Sequence, residues 1–455
     1  MFVPPRFIVI DDKIAHAQAI AACVQELGSS CATVLYSVEQ DVPKDVFVGA
    51  RVIFMDLQLL DSAAGDFRRH YAEIQRILGQ VITSSGGPYM LVLWTDAPER
   101  ADELQRYLEE HLFAASPYAR PVSLLALSKT DYIDLDTGVP TNSAELGRKI
   151  REDIRSVPSL AALLQWESDV LSATNGVLKI VMSAAMTPEG GMELGSVLKR
   201  IAVEAAGEHH AQSEPSAAVH SALLPLLQDQ LQYVVPDELS TGIWAAAFTG
   251  APTDLPQLSK ENAANLNSHL HIKIAADDVE PTEWGALSEL EDDFDWEDFG
   301  LQDAQDFVSR IPLKGVVTKW QDTVFDMTTP KSTPRRLQIG QIRVGAACDF
   351  AQKTDGPIPF VLATFIPVRT DSPKKSPTLM QRSTAWLSPL LEVGAWGRGF
   401  LFVEPRFART RGEQQTSGFL VLARVREQLL IELIGALAHH TARPGITQFE
   451  GEDVV

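Results

Sequence analysis

Hydrophobic and polar positions are arranged in three successive textures along this chain. In the first 140 residues, short apolar runs end abruptly in polar groups. Phe7-Ile8-Val9-Ile10 runs into Asp11-Asp12, and Val52-Ile53-Phe54-Met55 runs into Asp56. Leu91-Val92-Leu93-Trp94 is followed by Thr95, and the run at 122–127 by Ser128-Lys129. Unbroken Val/Ile/Leu runs of this length predict strands buried on both faces, as in a parallel sheet. A further strand is expected at 32–36, followed by a short or irregular segment through Pro43 and Val48. Helical spacing fills the intervals. Ala15, Ala19, Ala22, Cys23 and Leu27 mark a helix over 13–27 that Gly28 stops. Phe67, Tyr71, Ile74 and Leu78 mark a second, and Leu104, Tyr107, Leu108 and Leu112 a third. Alternation of strand and helix predicts a doubly wound parallel α/β sheet. In such a sheet, polar residues just past the strand ends gather in one crevice.

From residue 143 the pattern turns helical. Asn142 or Ser143 can cap a helix carrying Leu146, Ile150, Ile154 and Val157, which Pro158 interrupts. Leu160, Leu163, Leu164, Val170 and Leu171 continue the helical spacing, and later helices are expected over 194–206 and 217–233. Beyond 311, short β-rich runs recur at 315–320, 337–346, 360–366, 399–403 and 418–425, and a helix over 425–440 closes the chain. The chain is therefore read as multidomain. Residues 1–140 form an α/β domain, 141–275 a helical region and 276–310 an acidic linker. Residues 311–455 form a basic, β-rich α+β domain built on a curled sheet or small barrel.

Charge sharpens that division. The chain of 455 residues carries 39 Lys and Arg against 60 Asp and Glu, a net charge of −21. Residues 276–306 hold 13 acidic side chains and no basic one, whereas 311–450 hold 11 acidic and 18 basic. Two readings follow: a nucleic-acid or acidic-partner surface masked by the acidic stretch, or a solvated linker beside a mildly basic domain. The cluster from Glu289 to Asp298, interrupted by Phe294 and Trp296, reads as a docking peptide or a flexible linker. No secretion pattern and no apolar run of about 18 residues occurs, so a cytoplasmic protein without a membrane span is expected. Cys23, Cys31 and Cys348 are too few and too scattered for a disulfide framework or a CxxC metal site.

The chemistry-bearing set is Asp11, Asp12, Asp56, Thr95 and Lys129. Carboxylates suit hard, octahedral Mg²⁺, while an ammonium and a hydroxyl suit phosphoryl oxygens. In this order and arrangement, residues of about 5–140 resemble the receiver domain of two-component response regulators. The resemblance implies that Asp56 accepts a phosphoryl group from a histidine-kinase-type protein or phosphotransfer partner. It also implies that Asp11, Asp12 and Asp56 hold Mg²⁺ with the backbone carbonyl of Gln58, and that Thr95 and Lys129 sense the modified state. There are departures from the family pattern. Thr130 rather than proline follows Lys129; Leu125, Ala126 and Leu127 stand where an aromatic is usual; Asp96 follows Thr95; and the interval from Asp56 to Thr95 is long, with a loop at 84–88. These departures keep a second reading open, a receiver-like scaffold in a bacterial defence or conflict complex that is never phosphorylated.

Other candidates carry less. His209-His210, His269 and His271 lack acidic or Cys partners at metal spacing and read as surface or core histidines. Cys348, beside Asp349, is a nucleophile candidate that His439 or His440 could activate, which defines a third reading, a receiver-switched enzyme effector; a cysteine in an apolar run is otherwise core. No P-loop, HExxH, GxSxG or kinase signature is present. Basic residues cluster at Arg335-Arg336, Lys374-Lys375 and Arg406/Arg409/Arg411 without a helix-turn-helix, so direct DNA binding has no motif behind it, although the basic C-terminal domain leaves it open. The helical region is read as a spacer or homodimerisation platform.

Overall fold

A computed structural model describes residues 4–60, 67–84, 86–186, 192–233, 238–249, 255, 257–274, 279–290, 294–310, 338–346, 356–367, 385–412 and 419–442. The chain divides into two compact units. The first comprises Met1–Ile180 with Leu227–Leu255, and the second Val181–Leu226 with Pro256–Val455.

The first unit holds a five-stranded parallel sheet of β1 (Phe7–Asp11), β2 (Cys31–Leu35), β3 (Val52–Met55), β4 (Met90–Thr95) and β5 (Ser123–Ser128). The strands lie in the order β2-β1-β3-β4-β5, the flavodoxin-like doubly wound order. The apolar runs are unbroken because both faces are covered. Ile8, Ile10, Ile53, Met55, Leu91 and Leu93 point to one face, beneath α2 (Phe67–Val81) and α3 (Ala101–Leu108). Phe7, Val9, Val52, Phe54, Val92 and Trp94 point to the other, against α1 (Ile14–Glu26) and α4 (Ser143–Arg155). A 3₁₀ turn, Lys44–Phe47, makes the crossover from β2 to β3, in line with the irregular segment expected there.

Asn142 caps α4, its side chain accepting from the Glu145 N–H at 3.1 Å. Pro158 then opens α5 (Pro158–Ala185), where its missing N–H costs nothing. Glu167 of α5 pairs with Arg51 at 2.7 Å and with Arg6 at 3.3 Å, joining this helix to the segments that precede β1 and β3.

The second unit contains α6 (Leu194–Ala206), α7 (Glu208–Ser213), α10 (Lys260–His271) and α11 (Ala304–Arg310). The boundary between the units falls inside α5 and α8 (Pro215–Gln232), while α9 (Glu238–Thr249) belongs to the first unit. The described strands of the second unit form one antiparallel, curled sheet. They are β6 (Ile272–Ile274), β7 (Ala286–Glu289), β8 (Ile339–Arg343), β9 (Ile358–Pro367), β10 (Trp386–Leu387), β11 (Leu391–Val393), β12 (Gly397–Arg411) and β13 (Val421–Val425). The order is β10-β12-β9-β8-β7-β13-β6, with β11 on β12, and among the described strands it does not close into a barrel. Helix α12 (Glu427–Ala442) covers one face through Leu429, Leu430 and Leu433.

The acidic stretch differs from its expectation as a linker. It contributes β7 to the sheet, and Phe294, Phe299, Leu301 and Phe307 bury themselves on the face opposite α12. Asp295, Glu297 and Asp298 are exposed, while Phe294 and Phe299 beside them form core. The region read as helical likewise ends inside this sheet, because β6 pairs with β13 and Asn267 and Ser268 of α10 hydrogen-bond the backbone at Leu390 and Glu392. The expected strand at 315–320 lies outside the described residues. Among the described residues, no helix is long and apolar enough to cross a membrane.

Candidate functional site

Four of the five strands of the first sheet deliver a polar end group to the same edge. Asp11 ends β1, Asp56 follows β3, Thr95 ends β4 and Lys129 follows β5. Parallel pairing in register sets this alignment: Ile10 lies opposite Met55, and Thr95 opposite Ser128. Asp11, Asp12 and Asp56 each offer a carboxylate oxygen within 4.8 Å of the others. Lys129 reaches across the sheet, its Nζ 2.7 Å from Asp56 Oδ2 and 2.8 Å from Asp11 Oδ2. Asp11, Asp56, Thr95 and Lys129 are buried, and Asp12 is half-buried.

The backbone orients the carboxylates. Asp11 Oδ1 accepts from the Lys13 N–H at 2.9 Å, and Asp56 Oδ1 from the Gln58 N–H at 3.2 Å. The Thr95 hydroxyl accepts from the Ala97 N–H at 3.1 Å. Of the residues singled out from sequence, Asp11, Asp12, Asp56 and Lys129 therefore form one cluster. Thr95 stands at the same strand edge, Gln58 meets Asp56 through its N–H, and Asp96 is exposed.

The electrostatics suit a cation. Three carboxylates, two of them buried and one half-buried, face one ammonium, so with all of them ionised two negative charges are uncompensated. Burial, reinforced by the Asp56 charge, pushes the Asp11 carboxyl up to about 7 despite the ion pair with Lys129. Burial opposes the Lys129 charge, but Asp56 and Asp11 more than offset it and hold the ammonium above its ordinary value. A hard divalent cation matches both the donor set and the charge deficit. Among the described residues, this is the only group of three or more acidic, His or Cys side chains so gathered.

The sequence pattern left His16 unmarked. It sits buried in the first turn of α1, with Nε2 3.0 Å from the Leu135 carbonyl and Nδ1 3.9 Å from Asp11 Oδ1. Burial lowers its imidazole below the ordinary range. A lone histidine among helix alanines carries no signal of such a place. Among the described residues the other histidines join no group of three possible metal ligands: His210 is buried in α7, and His269 bonds its own helix at the Asn265 carbonyl, 2.8 Å away. Cys348 and Asp349 lie outside the described residues. Cys23 and Cys31 are free thiols that burial pushes up, Cys31 to about 12, so neither is an activated nucleophile.

No protein-family model matches the chain, and no curated protein matches it. Among solved structures, full-length FixJ from B. japonicum is returned at 12% identity and a TM-score of 0.21, covering 55% of this chain and 100% of that one. So loose a superposition carries no argument.

Proposed function

We propose that this chain is a signal-transduction protein of response-regulator type, in which Asp56 accepts a phosphoryl group in a Mg²⁺-dependent reaction and thereby controls the C-terminal module. The observation that carries this reading is the buried meeting of Asp11, Asp12 and Asp56 at one sheet edge, bridged by Lys129. Asp11, Asp12, Asp56 and the Gln58 carbonyl would hold the Mg²⁺, which would supply charge neutralisation for the carboxylates and the incoming phosphoryl oxygens. A carboxylate oxygen of Asp56 forms the new bond to phosphorus as the donor's own bond to phosphorus breaks. Lys129 shifts from the carboxylates to a phosphoryl oxygen, and the Thr95 hydroxyl donates to another. Such a transfer asks mainly for positioning and charge stabilisation, which buried, backbone-anchored groups supply. A histidine-kinase-type protein or phosphotransfer partner would be the donor.

The scaffold reading draws on one observation. Lys129 already pairs with both carboxylates, so the cluster is partly satisfied without a ligand. Beryllofluoride, an acyl-phosphate mimic, separates the two readings by native mass spectrometry. Uptake that requires Mg²⁺ and disappears in Asp56→Asn supports the receiver. Absence of uptake by the wild type, with Mg²⁺ present, supports the scaffold.

A further inference from the structure

Beyond Lys129 the chain does not pass directly into α4. A 3₁₀ turn returns the Tyr132 and Ile133 N–H groups to the Lys129 carbonyl at 3.1 and 2.9 Å. A small hairpin follows, closed by the Ile133–Pro140 bridge and by bonds from Asp134 N–H to the Val139 carbonyl and from Thr141 N–H to the Tyr132 carbonyl, at 3.0 and 2.8 Å. Asp134 stiffens its turn, Oδ1 accepting from the N–H groups of Asp136 and Thr137 and from the Thr137 hydroxyl, at 3.1, 2.9 and 2.8 Å. The hairpin leads into Asn142, the cap of α4.

Two contacts seat this hairpin on the first turn of α1. Gly138, at φ +68°, comes so close that a Cβ there would lie 2.5 Å from the Ala15 Cβ. Beside it, His16 Nε2 bonds the Leu135 carbonyl. A carbonyl only accepts, so Nε2 carries the ring proton and Nδ1 is left facing Asp11 Oδ1. Asp11 is in turn paired with Lys129, where the hairpin begins. His16 therefore stands between the carboxylate and the hairpin, bonded to the hairpin through Nε2 and packed beside Asp11 at 3.9 Å without a hydrogen bond to it. Cys23 and Leu27, further along α1, pack against Gly147 of α4.

We propose that His16 is a positioning residue that couples occupancy of the carboxylate site to the 132–141 hairpin and the start of α4. The inference rests on the reading of Asp11 and Asp56 as cation ligands. When a cation binds, Asp11 is drawn from Lys129 toward the metal. Lys129 and His16, the two groups beside Asp11 that also hold the hairpin, carry the adjustment to it. Such coupling needs a packed element that both ends bias, and a stiff hairpin with a polar anchor provides one.

The test compares wild type, His16→Leu and His16→Gln, each confirmed folded by circular dichroism. Gln can still donate to the Leu135 carbonyl, whereas Leu cannot. Amide hydrogen exchange over 132–147 is measured with and without Mg²⁺, alongside a Mg²⁺ titration by calorimetry. Without Mg²⁺, the hairpin amides of His16→Leu should exchange about fivefold faster than wild type, the loss of one buried hydrogen bond. Mg²⁺ should change exchange over 132–147 in wild type and in His16→Gln, and by clearly less in His16→Leu, where Lys129 alone still links the site to the hairpin, with Mg²⁺ binding to each protein confirmed by the titration. An equal Mg²⁺ response in His16→Leu, or Mg²⁺ binding to wild type with no response in the hairpin, overturns the coupling. If Mg²⁺ fails to bind wild type at all, the cation-site reading itself falls and takes the coupling with it.

Discussion

Lys129 and Asp56 form a buried ion pair of 2.7 Å that ties the end of β5 to the end of β3 across the intervening β4. Asp11 shares the same ammonium at 2.8 Å, so one lysine answers two of the three carboxylates at this edge. That single ammonium is the counter-charge among these groups, and the consequences of removing it or adding a cation are measurable.

Replacing the lysine removes the match. Lys129→Met leaves Asp11 and Asp56 buried and mutually repelling, a change expected to cost about 3–5 kcal/mol. Mg²⁺ should restore part of the loss, because a cation held by the same carboxylates supplies the missing charge. Urea denaturation of wild type and variant, with and without Mg²⁺, reads both effects. Equal destabilisation in the two conditions would argue against a cation site.

The Asp11 carboxyl, raised to about 7 in the folded protein, gives the site a pH signature. A carboxyl raised above its unfolded value, about 3.9, stabilises the fold fully below that unfolded value. That contribution fades as pH rises through about 7. Without metal, this group therefore lowers stability between about pH 4 and 7. Mg²⁺ requires the ionised form, so its affinity should rise about tenfold from pH 6 to pH 8 and binding should release protons. Calorimetry in buffers of different ionisation enthalpy measures the released protons directly. A pH-independent affinity would contradict the assignment of Asp11.

The acidic segment offers a separate test in the second unit. Phe307 is 1% exposed and meets Phe407 of β12 edge to face at 4.9 Å. Truncation in Phe307→Ala should cost about 3–5 kcal/mol and open the segment around 294–310 to limited proteolysis. A free linker would show neither change.

Gly285 marks the corner from which β7 starts. At φ +86° its absent Cβ leaves room for the Val425 carbonyl, which a methyl would approach to 2.4 Å. Because that obstacle is backbone, Gly285→Ala should destabilise the sheet by about 2–4 kcal/mol, combining strain and clash. Thermal unfolding checks the size, and hydrogen exchange should confine the loss to strands β6, β7, β8 and β13.

Much of the first sheet was legible because its strands are buried on both faces, and continuous runs such as Val52-Ile53-Phe54-Met55 have no other comfortable fate. The strand-end groups were legible for the same reason, since a polar residue that terminates such a run belongs at the sheet edge. The second sheet was harder. Ala423 pairs with Ile274 and Val421 with Ser288, partners so distant in sequence that no local pattern announces them. Acidic composition masked Phe294, Phe299 and Phe307, because a helix or strand signal needs periodicity and these aromatics pack from turns and short helices. His16 was hidden for a different reason. Its significance comes from the Leu135 carbonyl, which reaches it only once Gly138 has folded the hairpin onto Ala15.

The central claim is that Asp56 accepts a phosphoryl group. Intact mass after incubation with Mg²⁺ and acetyl phosphate, wild type beside Asp56→Asn, tests it most directly. The account predicts a single phosphoryl adduct on wild type that depends on Mg²⁺ and is absent from the variant. An adduct of equal yield on both proteins would contradict it, as would an unmodified wild type that also stays unmodified when offered phosphorylated histidine-kinase-type donors.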